Sequence, residues 1–412
     1  MPSFSIPLSG LDASSTALTV IADNLANENT VGFKSQEAQF QDLFYQQFGT
    51  SGSGNPIQQG IGVSVAATTS DLTQGSIQAT GVPTDAAIQG SGYFVVNKGG
   101  TTEYTRAGNF TLSDTGALLT QDGAAVMGYP AVNGVVTSGG ALSPLQITSG
   151  TTNPPKASAN VQTDLNLDAD SPVNGTFSTP VTVFDSLGAS HVLTFDFTKT
   201  AANTWNYNVT IPAADVGGTG TPVSVKNGTL TFNGNGQLTS PATDVTGITV
   251  PALANGAAAL TFSWNLFDAN GNGLLSQVSG ASSTTSTHQD GFATGGLQSF
   301  TIGADGTISG TFSNGETGQL GQIAVASFTN EQGLVRDGSN LYTTSPSSGQ
   351  AAVGVAGTNG RGTIAGGSLE SSNVDIATQF AALIVAERGY QANAKAVTTF
   401  DEVSQTAIGL IT

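Results

Sequence analysis

Cysteine is absent from the 412-residue chain, which excludes disulfides, thiolate catalysis and zinc–thiolate centres. Charge is scarce too. Only 9% of residues are Asp, Glu, Lys or Arg, divided 28 acidic to 10 basic for a net charge of −18. That balance argues against binding nucleic acid or anionic lipid, and its plain consequence is solubility. No apolar run approaches the roughly 20 residues that span a bilayer. No basic segment followed by an apolar one opens the chain, so no cleavable signal peptide is expected. Histidine occurs twice, at His191 and His288. The first lies in a strand or hairpin pattern and the second in a polar stretch, and both are expected at the surface rather than as catalytic bases.

What is present divides into helical ends and a β-rich middle. Near the N-terminus Phe4, Leu8, Leu11, Ser15, Leu18, Ala22 and Leu25 recur at alternating four- and three-residue steps, a heptad seam with a small polar interruption at Ser15. Pro7 fits a first turn and places the helix start near Ser5. The C-terminal segment carries a second seam through Phe380, Leu383, Tyr390, Ala394, Val397, Phe400, Val403, Ala407 and Leu410. Ser372 or Asn373 is its expected N-cap, with Asp375 in the first turn. Between the ends, Val181 and Val183, Leu193 to Phe197, Trp205 to Ile211 and Leu260 to Leu266 alternate as half-buried strands. Asp122-Gly123, Asn233-Gly234, Asn270-Gly271, Asp305-Gly306 and Asp337-Gly338 mark tight turns.

Composition gives a nested plan. An N-terminal helix of an inner domain spans 1–28, a linker segment 29–68, and the first part of a β domain 69–150. An inserted outer β domain spans 151–288, the rest of the first β domain 289–366, and the C-terminal helix 367–412. The fold class expected is mainly β, with a coiled-coil-like pair of terminal helices.

Catalytic candidates do not accumulate. "DANGNG" opens like a calcium loop, but Ser279 stands where a bidentate Glu is needed, so it reads as a hairpin turn. "GSGYFVV" lacks the third glycine of a phosphate loop and runs into a strand. Trp205 and Trp264 sit in alternating patterns that favour core packing over a sugar platform. No carboxylates are paired by the sequence. No catalytic residue, metal site or cofactor is expected.

The ends also carry a resemblance. "SGLDASSTALTVIADNLANENTVGFKS" and "SLESSNVDIATQFAALIVAERGYQANAKAVTTFDEV" are similar to the terminal signatures of bacterial flagellar rod and hook axial proteins. "AIQGSGYFVV" with "YTRAGNFTLSDTGALLTQDGAAVMGY" resembles their first β domain. "VTVFDSLGASHVLTFDF" and "GQIAVASFTNEQGLVRDGSNLYTTSPSSG" resemble the hook members rather than the shorter rod members. The resemblance implies a structural subunit that self-assembles into a curved, flexible tube joining rod to filament, for motility. It implies terminal helices lining the inside of that tube, with the inserted domain outermost. Asn27, Asn29, Thr30, Gly32 and Phe33 would form the signature turn at which the chain leaves the inner layer. Implied partners are copies of itself, the distal rod, the hook cap, the hook–filament junction protein and the flagellar export apparatus, with export to the extracellular hook. A rigid basal-body rod subunit and a secreted β-rich binding or hydrolytic protein are the rival readings.

Overall fold

The computed structural model describes residues 4–132, 134–148 and 150–409. The chain forms two compact units. One holds the chain up to residue 149, Ser299–Gly310 and the chain from Gly318 onward; the other holds Gly150–Gln298 with Thr311–Thr317.

In the first unit, helix α1 spans Ser5–Ala26 and helix α2 spans Ile376–Gly409. They pack antiparallel. Phe4 meets Phe400 edge-on at 6.1 Å, and Asn24 lies 3.2 Å from Gln379 at the other end. The β body is built on Tyr93–Lys98, which pairs with Thr101–Thr105, Ala125–Val132 and Thr317–Ser327. Tyr93, Val95, Tyr104, Tyr129 and Tyr342 pack together in its core. Two short ladders bring the chain back before α2. Thr363–Gly366 pairs with Ala86–Gln89, and Ser368–Glu370 pairs with Ile77–Ala79.

The stretch 29–68, expected as a linker, is largely strand. Gln36–Asp42 pairs antiparallel with Val63–Ser70, and Tyr45–Thr50 with Pro56–Gly60. Thr, Val, Phe and Tyr fit a pleated ribbon, and the Gly/Ser-rich part supplies only the tip.

The second unit is a sandwich. Thr176–Phe184, Ser190–Ala201, Thr204–Ile211, Val223–Phe232 and Leu238–Ser240 form one sheet in chain order. Val245–Val250, Leu260–Asn265, Asn160–Asn166 and Leu275–Ser276 form the other, with Ser283–Gln289 also paired to Asn160–Asn166. Trp205 and Trp264 are both 0% exposed in its core, each with its indole N–H bonded, to Gln277 and Thr163 respectively. His288 therefore lies on a strand rather than in a polar linker, opposite Gln162. The run of Ser and Thr around it is polar in composition but pairs readily. At the Asn233 turn the left-handed residue is Gly236 (φ 77°) and not Gly234.

Candidate assembly surface

Two features define the surface: how the helices pair, and how they are fastened to the β body. On α1, Gly10, Ser14, Ala17, Ile21 and Asn24 recur at steps of four and three. A methyl group at Gly10 would lie 2.8 Å from the Asn393 side chain, and one at Gly389 would lie 3.4 Å from Ser14 Oγ. This small-residue line therefore lets the two backbones approach. Its α2 counterpart runs through Gln379, Ala386, Asn393 and Phe400, seven residues apart. A groove of about 960 Å³ runs beside the contact, lined by Ala17, Val20 and Ile21 of α1, Ala382 and Val385 of α2, and Phe40.

The leucine seam expected on α1 sits one residue further along, about 100° around the helix from that line. Leu8 is 61% exposed, Leu11, Leu18 and Leu25 are half-buried, and Ala22 is exposed. On α2, Leu383, Ala394, Val397 and Phe400 are half-buried, whereas Phe380, Tyr390, Val403 and Ala407 are exposed. Leu410 lies outside the described residues. The structure brings Leu8, Leu11 and Tyr390 to one groove, with Leu43 and Ile61. The remaining seam positions lie on faces that the two helices do not fully cover for each other.

The N-cap of α2 is Asp375, not Ser372 or Asn373. Its carboxylate accepts the Thr378 N–H at 2.6 Å, and its carbonyl accepts the Gln379 N–H. The bond from the Thr378 N–H holds the exposed Asp375 carboxyl below the usual carboxylate range. Asn373 is used elsewhere: it accepts from the Ser35 N–H at 2.8 Å and donates to the Asp71 carbonyl at 2.9 Å.

The signature turn is fastened from several directions. Asn27 donates to the Asp23 carbonyl and accepts from Thr30 Oγ1 at 3.0 Å. Asn29 is exposed and donates to Glu28, while Phe33 is buried under the Arg336 guanidinium, 5.4 Å from its ring. Asn340 donates to the Val31 carbonyl and Arg336 to the Lys34 carbonyl. Gly32 adopts φ 68°, and a methyl group there would lie 2.7 Å from the Arg106 carbonyl carbon. Only glycine satisfies both demands. Asn24 closes the far side, accepting from the Gln36 N–H and donating to the Gln36 carbonyl, each at 2.8 Å.

Beneath the turn is an ionic cluster that the sequence pattern does not reveal. Lys34, just after the turn, and Glu370, just before α2, are 1% and 0% exposed. Lys34 Nζ donates to Glu370 Oε1 at 2.6 Å and to the Thr73 carbonyl at 2.7 Å. Arg106 Nη1 lies 3.3 Å from Glu370 Oε2, and the Gly75 N–H donates to Oε1 at 3.0 Å. Burial pushes the Lys34 ammonium down, and Glu370 only partly offsets it. One carboxylate thus holds the segment leaving α1, the segment entering α2 and the β body together. A signal existed, since a chain this poor in cations places a lysine inside the "TVGFKS" signature.

Among the described residues, no three or more His, Asp or Glu side chains form a group that could hold a metal, and no helix is long and apolar enough to cross a membrane.

Four family models match the chain. They are the flagella basal body rod protein (residues 6–34), the flagellar hook protein FlgE/F/G D1 domain (87–166), the flagellar basal body protein FlaE D2 domain (153–292) and the flagellar basal body rod FlgEFG protein C-terminal region (365–410). The flagellar hook protein FlgE of Salmonella typhimurium is 36% identical over 427 residues, covering 99% of this chain and 100% of that one. The flagellar hook protein FlgE of Treponema pallidum is 34% identical, covering 98% of each. The crystal structure of Helicobacter pylori flagellar hook protein FlgE2 aligns with a TM-score of 0.51 over 70% of this chain and 98% of that one, at 18% identity, a likeness of fold.

Proposed function

The chain belongs to the flagellar hook protein family and is a structural subunit of the bacterial hook, and from that premise we propose that its terminal helices form an inner assembly layer completed by other copies of the chain. The observation that carries this is the apolar surface the helix pair leaves open. Leu8 on α1 is 61% exposed and Val385 on α2 71%, and Phe380, Ile384 and Val403 are exposed along α2. Large apolar side chains left exposed at this many positions of a helix pair call for a partner. In a head-to-tail assembly that does not close into a ring, every subunit supplies the same partner to the next. The seam residues of both helices are then buried in the tube, and the turn at Asn27–Phe33 is where the chain leaves the inner layer for the β units.

At the two ends of such a tube the same surfaces meet the distal rod, the hook cap and the junction protein. The chain reaches them through the flagellar export apparatus. The reading assigns no catalysis to the chain.

The test is complementation of a strain lacking its hook protein. Curved tubes of near-uniform length and restored swimming are expected in electron micrographs and motility agar. Straight tubes, or an assembled rod with no hook, would favour the rod reading.

A second expectation concerns the free subunit. In dilute monomer, amides of 394–409 in α2 should exchange near the unprotected rate, because that half of the helix has little apolar cover of its own to offset ordering entropy of ~1–2 kcal/mol per residue. Amides of Tyr93–Val96 in the β body should be strongly protected. Strong protection of 394–409 in a proven monomer would mean that the helix pair is complete without other copies.

A further inference from the structure

His191 in the second unit has an environment that its place in the hairpin does not require. It is 7% exposed, not at the surface as its sequence context suggested. Its Nε2 lies 3.1 Å from Asp185 Oδ2, and its Nδ1 lies 3.1 Å from Asp215 Oδ2. A neutral imidazole has one N–H and can donate to only one of them. Only the doubly protonated ring satisfies both carboxylates.

The two carboxylates belong to different elements. Asp185 follows the strand Thr176–Phe184 and is held by three further donors, the Asn255 amide and the Leu187 and Ala189 N–H groups. Asp215 sits in the short 3-10 turn Ala213–Val216, with its side chain 28% exposed. The carbonyl of Asp215 accepts the Ala254 N–H at 2.8 Å, which ties the loop 251–257 to the same turn. Asp185 and Asp215 are the charged groups facing the imidazole, and the loop contributes the neutral Asn255 amide.

We propose that His191 is a pH-operated pin, clamping the turn Ala213–Val216 to Asp185 while doubly protonated and releasing Asp215, and with it the turn's hold on the Ala254 N–H, when it loses a proton. Asp215 is the arm that lets go, because Asp185 keeps its other donors. Burial pushes the imidazole down, but the two carboxylates outweigh it and hold it above the ordinary histidine range. Burial likewise pushes Asp185 up, and Asn255, His191 and the two backbone N–H groups outweigh that to hold it at about 2. Asp185 therefore stays ionised across the range in which His191 changes. The sign follows. A raised folded-state value makes the clamp's contribution complete below the ordinary histidine value of about 6.5, and lost as pH rises through the higher folded value.

The test uses the full chain carrying His288→Gln, which leaves one imidazole to observe. Its proton resonances should titrate above about 6.5. Hydrogen exchange read by mass spectrometry should show the protection factor of peptides covering 212–218 and 251–258, corrected for intrinsic base catalysis, falling about tenfold or more between pH 6 and 9. Peptides in Ser190–Ala201 away from the ring should not change. His191→Gln should flatten the pH dependence. If that variant fails to fold, the parent chain decides alone. An imidazole titrating at or below the ordinary value, or protection factors that do not change with pH, would overturn the pin.

Discussion

Cells whose hook protein carries Leu18→Asp are expected to build no hooks and not to swim, while Thr19→Asp is expected to be tolerated. Leu18 is half-buried on the leucine seam of α1, and Thr19 is exposed one residue away, with its hydroxyl bonded back to the Ser15 carbonyl at 3.0 Å. In a tube whose inner layer is closed by neighbouring copies, the carboxylate introduced by Leu18→Asp would be buried without a partner, costing several kcal/mol per subunit before relaxation. The cost recurs at every added subunit, so a fraction of it halts growth. In the free subunit Leu18 still meets solvent, so circular dichroism and the thermal unfolding of the β units should match the parent in both variants. Normal hooks from Leu18→Asp would show that the seam is not an assembly contact, and the exposed α1 face would need another explanation.

Glu370→Ala should be the most damaging single change in the first unit. It removes the one anion between Lys34 and Arg106, both 4% exposed or less, and leaves two buried cations facing each other. Loss of one partner from a buried pair costs about 3–5 kcal/mol. Lys34→Met should cost less, because Glu370 keeps Arg106 and the Gly75 N–H. Equilibrium urea unfolding of monomer would check the order Glu370→Ala, then Lys34→Met, then an exposed control such as Glu316→Ala with no change. Equal loss from the first two would mean that the lysine, already pushed toward its neutral form by burial, contributes shape rather than charge.

The sequence was most legible where periodicity alone decides. Alternation identified the strands around Trp205 and Trp264, and Pro7 set the start of α1. Periodicity finds an apolar line but not the partner that it meets. On α1 the leucines were visible and the contact with α2 was not, because Gly10, Ser14 and Ala17 pack by letting backbones approach rather than by bulk. Stretches of Gly, Ser and Thr read as linkers at 49–60 and near His288, yet form ribbons, since pairing is decided by a neighbouring strand distant in sequence. The N-cap of α2 lies two or three residues beyond the expected Ser372 or Asn373, because Ser, Asn and Asp all suit a cap and only the fold shows that Asn373 is engaged by Ser35. The ionic cluster had a compositional trace at Lys34, but its anion lies 336 residues away.

That separation has a kinetic meaning. Closing a free loop of that length costs about 5 kcal/mol in chain entropy alone. The ladders Ile77–Ala79 with Ser368–Glu370 and Ala86–Gln89 with Thr363–Gly366 deliver Glu370 to its site, so the cost falls on them and the cluster closes afterwards as a short step. The β body must therefore fold before the lock beneath the helices can form. A subunit emerging N-terminus first exposes Lys34 and Arg106 early and can neutralise them only when residue 370 has followed. A chain cut short between residues 340 and 370 keeps the bonds from Arg336 and Asn340 to the turn after the first helix, but lacks both the anion between Lys34 and Arg106 and the whole of α2.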